Sequence, residues 1–181
     1  AHLDKLDVSP ILGVHLWYDQ PVTDLPHVAL VDSPLQWIFN KGITEQPGGT
    51  LAYHIHGVLS AAHDWVSKPG DQILDMADRE LRHAFPRMAR SVRLGGTVVK
   101  EKRATFSARP GIAAYRPAAT GPLGNLLIAG DWTDTGWPAT MEGAVRSGNR
   151  AANLALNMLG IDAKPLPEDM PPSDLYSLLS T

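Results

Sequence analysis

The chain contains no cysteine among its 181 residues. This excludes disulfides, thiolate metal centres and a cysteine nucleophile. Charge of one sign is also missing: the formal net charge is −3. A near-neutral chain has no electrostatic footprint for nucleic acid, and none is expected as a partner. No apolar run approaches the roughly 20 residues of a membrane-spanning helix. Aromatic residues are only 7% of the total, so where several fall close together their placement carries information. The chain is long enough to bury a substantial core as one domain or as two interleaved half-domains. It begins at Ala1, and Ser9-Pro-Ile-Leu-Gly-Val-His-Leu-Trp-Tyr-Asp19 has the character of mid-domain sequence, so a piece of a longer chain is expected.

Hydrophobic period and punctuation give an α+β reading. Strands are expected over 11–19, 27–31, 36–40 and 51–59, with Asp32-Ser-Pro and Gln46-Pro-Gly-Gly-Thr50 as turns. These four pieces read as an antiparallel meander. Ile73, Leu74, Ala77, Leu81, Ala84 and Phe85 recur at helical spacing, with Asp71 as N-cap and Pro86 as terminator. Residues 91–106 read as extended, with Gly95-Gly96 as a bend or bulge, and a loop rich in Pro, Gly and Ala follows over 108–122. Residues 125–129 read as a short buried strand, and 140–159 as the longest helix, with Gly160 in a C-cap position. From Ala163 onward the tail reads as Pro-rich and irregular, except over Ser173–Leu179.

The stretch Asn125-Leu-Leu-Ile-Ala-Gly-Asp-Trp-Thr-Asp-Thr-Gly-Trp-Pro-Ala-Thr-Met-Glu-Gly-Ala-Val-Arg-Ser-Gly148 concentrates the chemistry. Gly130 permits close backbone approach at a strand end. Asp131 then stands where ligands of α/β folds gather, and its carboxylate can accept hydrogen bonds from ribose-like or ribityl hydroxyls. The helix start near Thr140 offers unsatisfied N–H groups and a partial positive end. Gly143, Ala144, Ser147, Gly148 and Ala151 leave one helix stripe small, which suits either a flat ring or a neighbouring backbone. Trp132 and Trp137 read as core or lid aromatics, Arg109 and Arg116 as solvated loop arginines or phosphate contacts, and Glu142 as a first-turn acid favoured by the dipole. His54 and His56 alternate on one strand, with His15 and His63 elsewhere. Metal binding needs three or four converging ligands, and no carboxylate spacing supports one, so no metal is expected.

The block Ala129–Gly148 resembles the C-terminal flavin-binding signature of the FAD-dependent amine oxidase and phytoene desaturase superfamily. Within it, Gly130-Asp-Trp-Thr133 followed by Gly136-Trp-Pro-Ala-Thr-Met-Glu-Gly-Ala144 looks most like the squalene-associated branch, the hydroxysqualene dehydroxylases. Gly13-Val-His-Leu-Trp-Tyr-Asp-Gln-Pro-Val22, Gln36-Trp-Ile-Phe-Asn-Lys41 and Lys102-Arg-Ala-Thr-Phe-Ser107 resemble the same branch, and the likeness covers roughly residues 9–160.

The resemblance implies that residues 1–107 are part of a substrate-binding domain, an antiparallel sheet plus a helix over 70–85. It implies a C-terminal FAD-binding strand-turn-helix over 108–160 and a tail over 161–181. The cofactor would be FAD, with Gly130 and Asp131 beside the ribityl-pyrophosphate region, Thr140, Met141 and Glu142 facing the flavin edge, and Ala144 and Trp137 close by. Trp17, Tyr18, Trp37, Phe39 and Tyr53 would line a tunnel for a long isoprenoid hydrocarbon, hydroxysqualene being reduced to squalene. Carotenoid-type desaturation, amine oxidase-like chemistry and a substrate-binding module without turnover are the alternatives. No catalytic acid or base is named by the pattern.

The family's Gly-x-Gly-x-x-Gly fingerprint for the ADP half does not occur in the sequence. A Rossmann half supplied in cis or in trans is therefore expected, with FAD bound weakly or not at all by the chain alone. The expected location is cytoplasmic, with peripheral association at the inner membrane given so apolar a substrate.

Overall fold

The computed structural model describes residues 3–163, so the tail beyond 163, with its segment 173–179, lies outside the described residues. Two compact units are present, Leu6–Ser107 and a second formed by residues 3–5 and 108–163.

The first unit is one antiparallel sheet with a helix against it. Its strands are β1 (Val8–Tyr18), β2 (His27–Ala29), β3 (Trp37–Glu45), β4 (Leu51–Ser60) and β5 (Arg93–Phe106), in the order β2-β3-β4-β1-β5. The expected meander holds only for β2, β3 and β4. β1 does not pair with β2; it pairs with β4, in the register His15 to His56 and Trp17 to His54, and with β5 on its other side. The reason is visible in its burial, since nearly every residue from Ser9 to Tyr18 is buried or half-buried. A strand with so little exposed surface needs two neighbours. The three-residue β2 is left as the edge, where a short strand limits unpaired backbone. The Gln46–Thr50 turn closes the β3–β4 hairpin through Gln46 N–H to Thr50 O at 2.9 Å and Gly49 N–H to Gln46 O at 3.0 Å.

Helix α1 (Gly70–Ala84) buries Ile73, Met76, Ala77 and Leu81. These meet the alternate residues Leu12, Val14, Leu16 and Tyr18 of β1, with Ile38, Ile55 and Leu59, in one core. Gly96 on β5 leaves room for a helix side chain: a Cβ there would lie 2.7 Å from Leu74 Cδ2. Asp71 is not the cap. Pro69 holds that position and makes no side-chain cap bond, so Asp71 serves as an acid in the first turn, favoured by the helix dipole. Phe85 leaves helical geometry (φ −125°, ψ 87°), as a residue preceding proline does.

A polar staple joins sheet, helix and the turn that follows. The Tyr18 hydroxyl donates to Asp78 Oδ1 at 2.7 Å. Arg82 Nε donates to Asp78 Oδ2 at 2.9 Å, and its other nitrogens donate to the carbonyls of Met88 (2.9 Å) and Ser91 (3.0 Å). Burial first, and then the Asp78 carboxylate, raise the Tyr18 pKa, so the phenol stays a donor.

In the second unit the main element is α2 (Met141–Met158), capped by the Thr140 side chain. At its far end Gly160 takes φ +69°, and the Gly160 and Ile161 N–H groups return to Asn157 O (3.0 Å) and Leu156 O (2.9 Å). This is a Schellman closure. The buried strand expected over 125–129 is not found. Only the bridge Thr120 to Leu127 forms, and Leu126 is 43% exposed. A strand is completed by its neighbour, and among the described residues this segment has only the hairpin return of 119–121.

Replacing Asp78 by Ala should leave the Tyr18 hydroxyl and the Arg82 guanidinium short of a partner. A loss of about 1–3 kcal/mol is expected, read as a lowered denaturant midpoint with an unchanged slope.

Candidate functional site

Two groups of residues, one in each unit, carry the chemistry that the sequence pattern marks. In the second unit the Gly130 turn is tied to α2 by a buried knot. The Gly130 N–H donates to Ser147 Oγ at 2.9 Å, Thr133 Oγ1 donates to Gly130 O at 2.8 Å, and the two hydroxyls lie 2.7 Å apart. Ser147 and Thr133 are each 1% exposed. Gly130 itself has φ +150°, a region that favours glycine, and an added Cβ would run into the Trp132 indole. Gly143 is also constrained: a Cβ there would lie 2.6 Å from Pro138 O. The small residues at 143 and 147 therefore pack against the chain's own loop, while Ala144 and Gly148 are exposed.

Arg116 holds the loop from beneath. Its Nη1 donates to Trp137 O at 2.6 Å and its Nη2 to Asp131 O at 2.8 Å. The residue is half-buried, and these donors reach carbonyls of the motif. Arg146 donates to Glu142 Oε1 at 2.7 Å and lies 4.3 Å from the Trp137 ring centroid, which fixes Glu142 as a paired first-turn acid. Thr140 Oγ1 accepts from Gly143 N–H at 3.1 Å and Thr140 O from Ala144 N–H at 3.0 Å. Helix geometry leaves the N–H groups of Met141 and Glu142 without an intrahelical acceptor, and Met141 is 89% exposed. Asp131, Trp137, Thr140, Met141, Glu142 and Ala144 thus come together around one turn and one helix start.

In the first unit the sheet face away from α1 carries a row of rings. Trp37 and Phe39 lie 6.2 Å apart, Phe39 and His56 6.0 Å, His56 and His15 4.3 Å and nearly parallel, and Trp17 and His54 4.5 Å. His15 Nδ1 and His54 Nε2 share a hydrogen bond of 3.0 Å, and the Trp17 indole donates to Thr44 Oγ1 at 3.0 Å. His27, Trp37, Phe39 and Val58 line an apolar groove of about 410 Å³.

Of the five aromatics marked as a tunnel wall, Trp17, Trp37 and Phe39 share this face. Tyr18 and Tyr53 do not. Tyr18 is wholly buried under α1 on Asp78, and Tyr53 alternates away from His54 on β4. The His15–His54–His56 row was visible in sequence only as period-2 spacing within β4; that β1 adds its histidine to the same face follows from the pairing register. Among the described residues, no group of three or more His, Asp or Glu has the geometry to hold a metal ion.

The family comparison matches residues 1–156 to the flavin containing amine oxidoreductases. The chain belongs to that family. Its members are FAD-dependent oxidoreductases. The chain is similar to a hydroxysqualene dehydroxylase of Sinorhizobium fredii, 35% identical over 153 residues that make 81% of this chain and 32% of that protein. It is similar to a 15-cis-phytoene desaturase of Synechococcus elongatus, 31% identical over 163 residues, 85% of this chain and 34% of that protein. A 59-residue stretch is 61% identical to the hydroxysqualene dehydroxylase of Rhodopseudomonas palustris, over 33% of this chain and 14% of that one. The chain thus spans about a third of the length of the two relatives it matches most extensively. Among solved structures, cyclohexylamine oxidase from Brevibacterium oxydans shares the fold, with a TM-score of 0.54 and 18% identity over 88% of this chain and 38% of that one. No helix among the described residues is long and apolar enough to cross a membrane.

The residues present fit part of this family's cofactor. The Met141 and Glu142 N–H groups, which have no intrahelical acceptor and stand at an exposed helix start, suit a ring carbonyl.

Two outcomes follow from this geometry. Ser147→Ala deprives the Gly130 N–H of its acceptor, and a loss of about 1–3 kcal/mol should appear as faster amide exchange at Gly130 and a lower melting temperature. On the sheet face, burial first, then His15, His56 and Lys41, lower the His54 pKa from 6.5 to about 4. His15 and His56 are lowered by burial and Lys41, and His56 also by His15. A folded-state value below the unfolded one means that the unfolded chain binds more protons between pH 6.5 and 4. Stability should therefore be fully present above pH 6.5 and fall as pH drops toward 4; His54→Phe should flatten that slope in urea titrations across the window.

Proposed function

We propose that this chain forms the substrate wall and the flavin-ring side of an FAD-dependent oxidoreductase acting on an isoprenoid hydrocarbon, with hydroxysqualene reduced to squalene. The observation that carries it is the sheet face opposite α1, where an apolar groove edged by Trp37 and Phe39 runs up to a row of stacked rings. A long hydrocarbon needs such a dry channel. Aromatic faces would stabilise positive charge left when a hydroxyl departs, and exclusion of water would keep that charge from being quenched.

In this reading FAD supplies hydride transfer when bound. Gly130, Asp131, Trp137, Thr140, Met141, Glu142 and Ala144 would hold its ring and ribityl side: the Met141 and Glu142 N–H groups by donating to the ring edge, Asp131 by accepting from ribityl hydroxyls, and Gly130 by making the turn that presents Asp131. The ADP half would be held by a Rossmann unit outside these residues, in cis or in trans, and association with the membrane would be peripheral.

Carotenoid-type desaturation is the second reading, supported by the phytoene desaturase likeness over 85% of the chain. The 61% identity of the 59-residue stretch to a hydroxysqualene dehydroxylase favours the first. The full-length enzyme, given hydroxysqualene with its FAD reduced beforehand by dithionite or given phytoene with its FAD oxidised, should convert the first to squalene and water, read by product mass, and leave phytoene unchanged. Desaturated phytoene, with hydroxysqualene untouched, would reverse the assignment.

A further inference from the structure

Helix α2 carries an acid and a base one turn apart, beside the loop that leads into it. Arg146 follows Glu142 by four residues, the favourable order for such a pair on a helix, and its Nε donates to Glu142 Oε1 at 2.7 Å. The guanidinium is the less exposed partner, 25% against 52%, and it also lies 4.3 Å from the Trp137 ring centroid. Trp137 is fixed in turn through its backbone. Its carbonyl accepts from Arg116 at 2.6 Å, and its N–H donates to Thr135 Oγ1 at 3.2 Å. Arg150, a further turn along α2, donates to Asp134 O at 2.8 Å. Arg146 therefore rests against a loop that is itself anchored, and the carboxylate it holds is anchored with it.

A surface ion pair between neighbours on one helix adds little stability. Its consequence is where the charge is kept. Glu142 is the second residue of α2. The Thr140 side chain takes the Gly143 N–H, while the Met141 and Glu142 N–H groups have no intrahelical acceptor. A carboxylate in the first turn is drawn toward such groups by the positive end of the helix dipole. Without a partner, Glu142 would compete for those N–H groups and cancel part of the positive charge that a ligand meets there. On Arg146 its charge is balanced and its Oε1 is engaged elsewhere.

We propose that Arg146 is a positioning residue for the flavin: by holding the Glu142 carboxylate, it keeps the first-turn N–H groups and their partial positive charge available to the ring. This rests on the reading that the start of α2 meets the ring edge, and names what keeps that start receptive. Two-electron reduction makes the ring richer in negative charge, and protein charge beside the ring tunes its electronics. A balanced Glu142 leaves the helix end attractive to reduced flavin; an unbalanced one opposes it. Trp137 contributes by seating the guanidinium.

The test uses the full-length enzyme as wild type, Arg146→Met, Arg146→Met with Glu142→Gln, and Ala144→Phe. Met keeps an unbranched stem against Trp137 and removes the charge. The readouts are the Kd of oxidised FAD for the apoenzyme, by fluorescence quenching, and the midpoint potential of the bound flavin. The potential gives the ratio of reduced to oxidised affinity at about 30 mV per tenfold for a two-electron couple. Arg146→Met should lower that ratio roughly two- to fivefold, moving the potential negative, and adding Glu142→Gln should restore it, since no charge is left to balance. Lost packing alone would weaken both oxidation states alike and would not be repaired by the second substitution. A ratio unmoved in Arg146→Met, or not restored by Glu142→Gln, overturns the role of Arg146. Ala144→Phe, at an exposed position of the same turn, should weaken oxidised FAD roughly tenfold by crowding the ring. Full FAD affinity in that variant overturns the placement of the ring at α2, and the role of Arg146 with it.

Discussion

The first unit depends on one constraint, the two-residue period of a strand held between two neighbours. β1 is paired on both sides, so each of its residues must belong to one face or the other. Leu12, Val14, Leu16 and Tyr18 go to α1 and are at most 1% exposed. Gly13, His15 and Trp17 are thereby placed together on the opposite face. The core and the candidate site are thus two readings of one alternation. A slip of one residue would put histidines against Leu81 and leucines on the ring-bearing face. The Tyr18–Asp78–Arg82 staple guards the register: a hydroxyl at the end of β1 finds its acceptor on α1 only when the strand is seated correctly.

The second unit meets a different constraint. Its motif has little sheet to rest on, since the segment before Gly130 makes a single bridge. The turn is held instead by the Thr133–Ser147 knot and by Arg116, which gathers the Asp131 and Trp137 carbonyls. An arginine used this way satisfies backbone groups of an irregular loop that no ladder satisfies.

What could be read from the sequence follows the range of each signal. Helix α2 was legible at both ends because Thr140 and Gly160 act on residues within a few positions of themselves. The glycine turn at 46–50 and the helix stop at Pro86 are local in the same sense. Pairing was not legible. Nothing in residues 8–31 says that β1 passes over β2 to join β4; the demand comes from apolar surface on both faces, met by a strand about 40 residues away. Tyr18 looked like one more wall aromatic because its acceptor, Asp78, is 60 residues on. The segment 125–129 looked like a buried strand because apolar composition records a preference, and only a partner strand can satisfy it.

The histidine row shows why the bland reading of isolated histidines fell short. Taken singly, His15, His54 and His56 show no carboxylate spacing that would suggest a metal site. Taken by register, they form a band of neutral, polarisable rings in which hydrogen-bonding edges are inserted into an aromatic stripe. An imidazole is suited to that place because it can be buried uncharged at modest cost, whereas Lys or Arg there would carry a desolvation penalty. It also offers a donor or an acceptor according to its neighbour's tautomer. The β1–β4 register is what sets these stacked imidazoles in line with the aromatic stripe of β3.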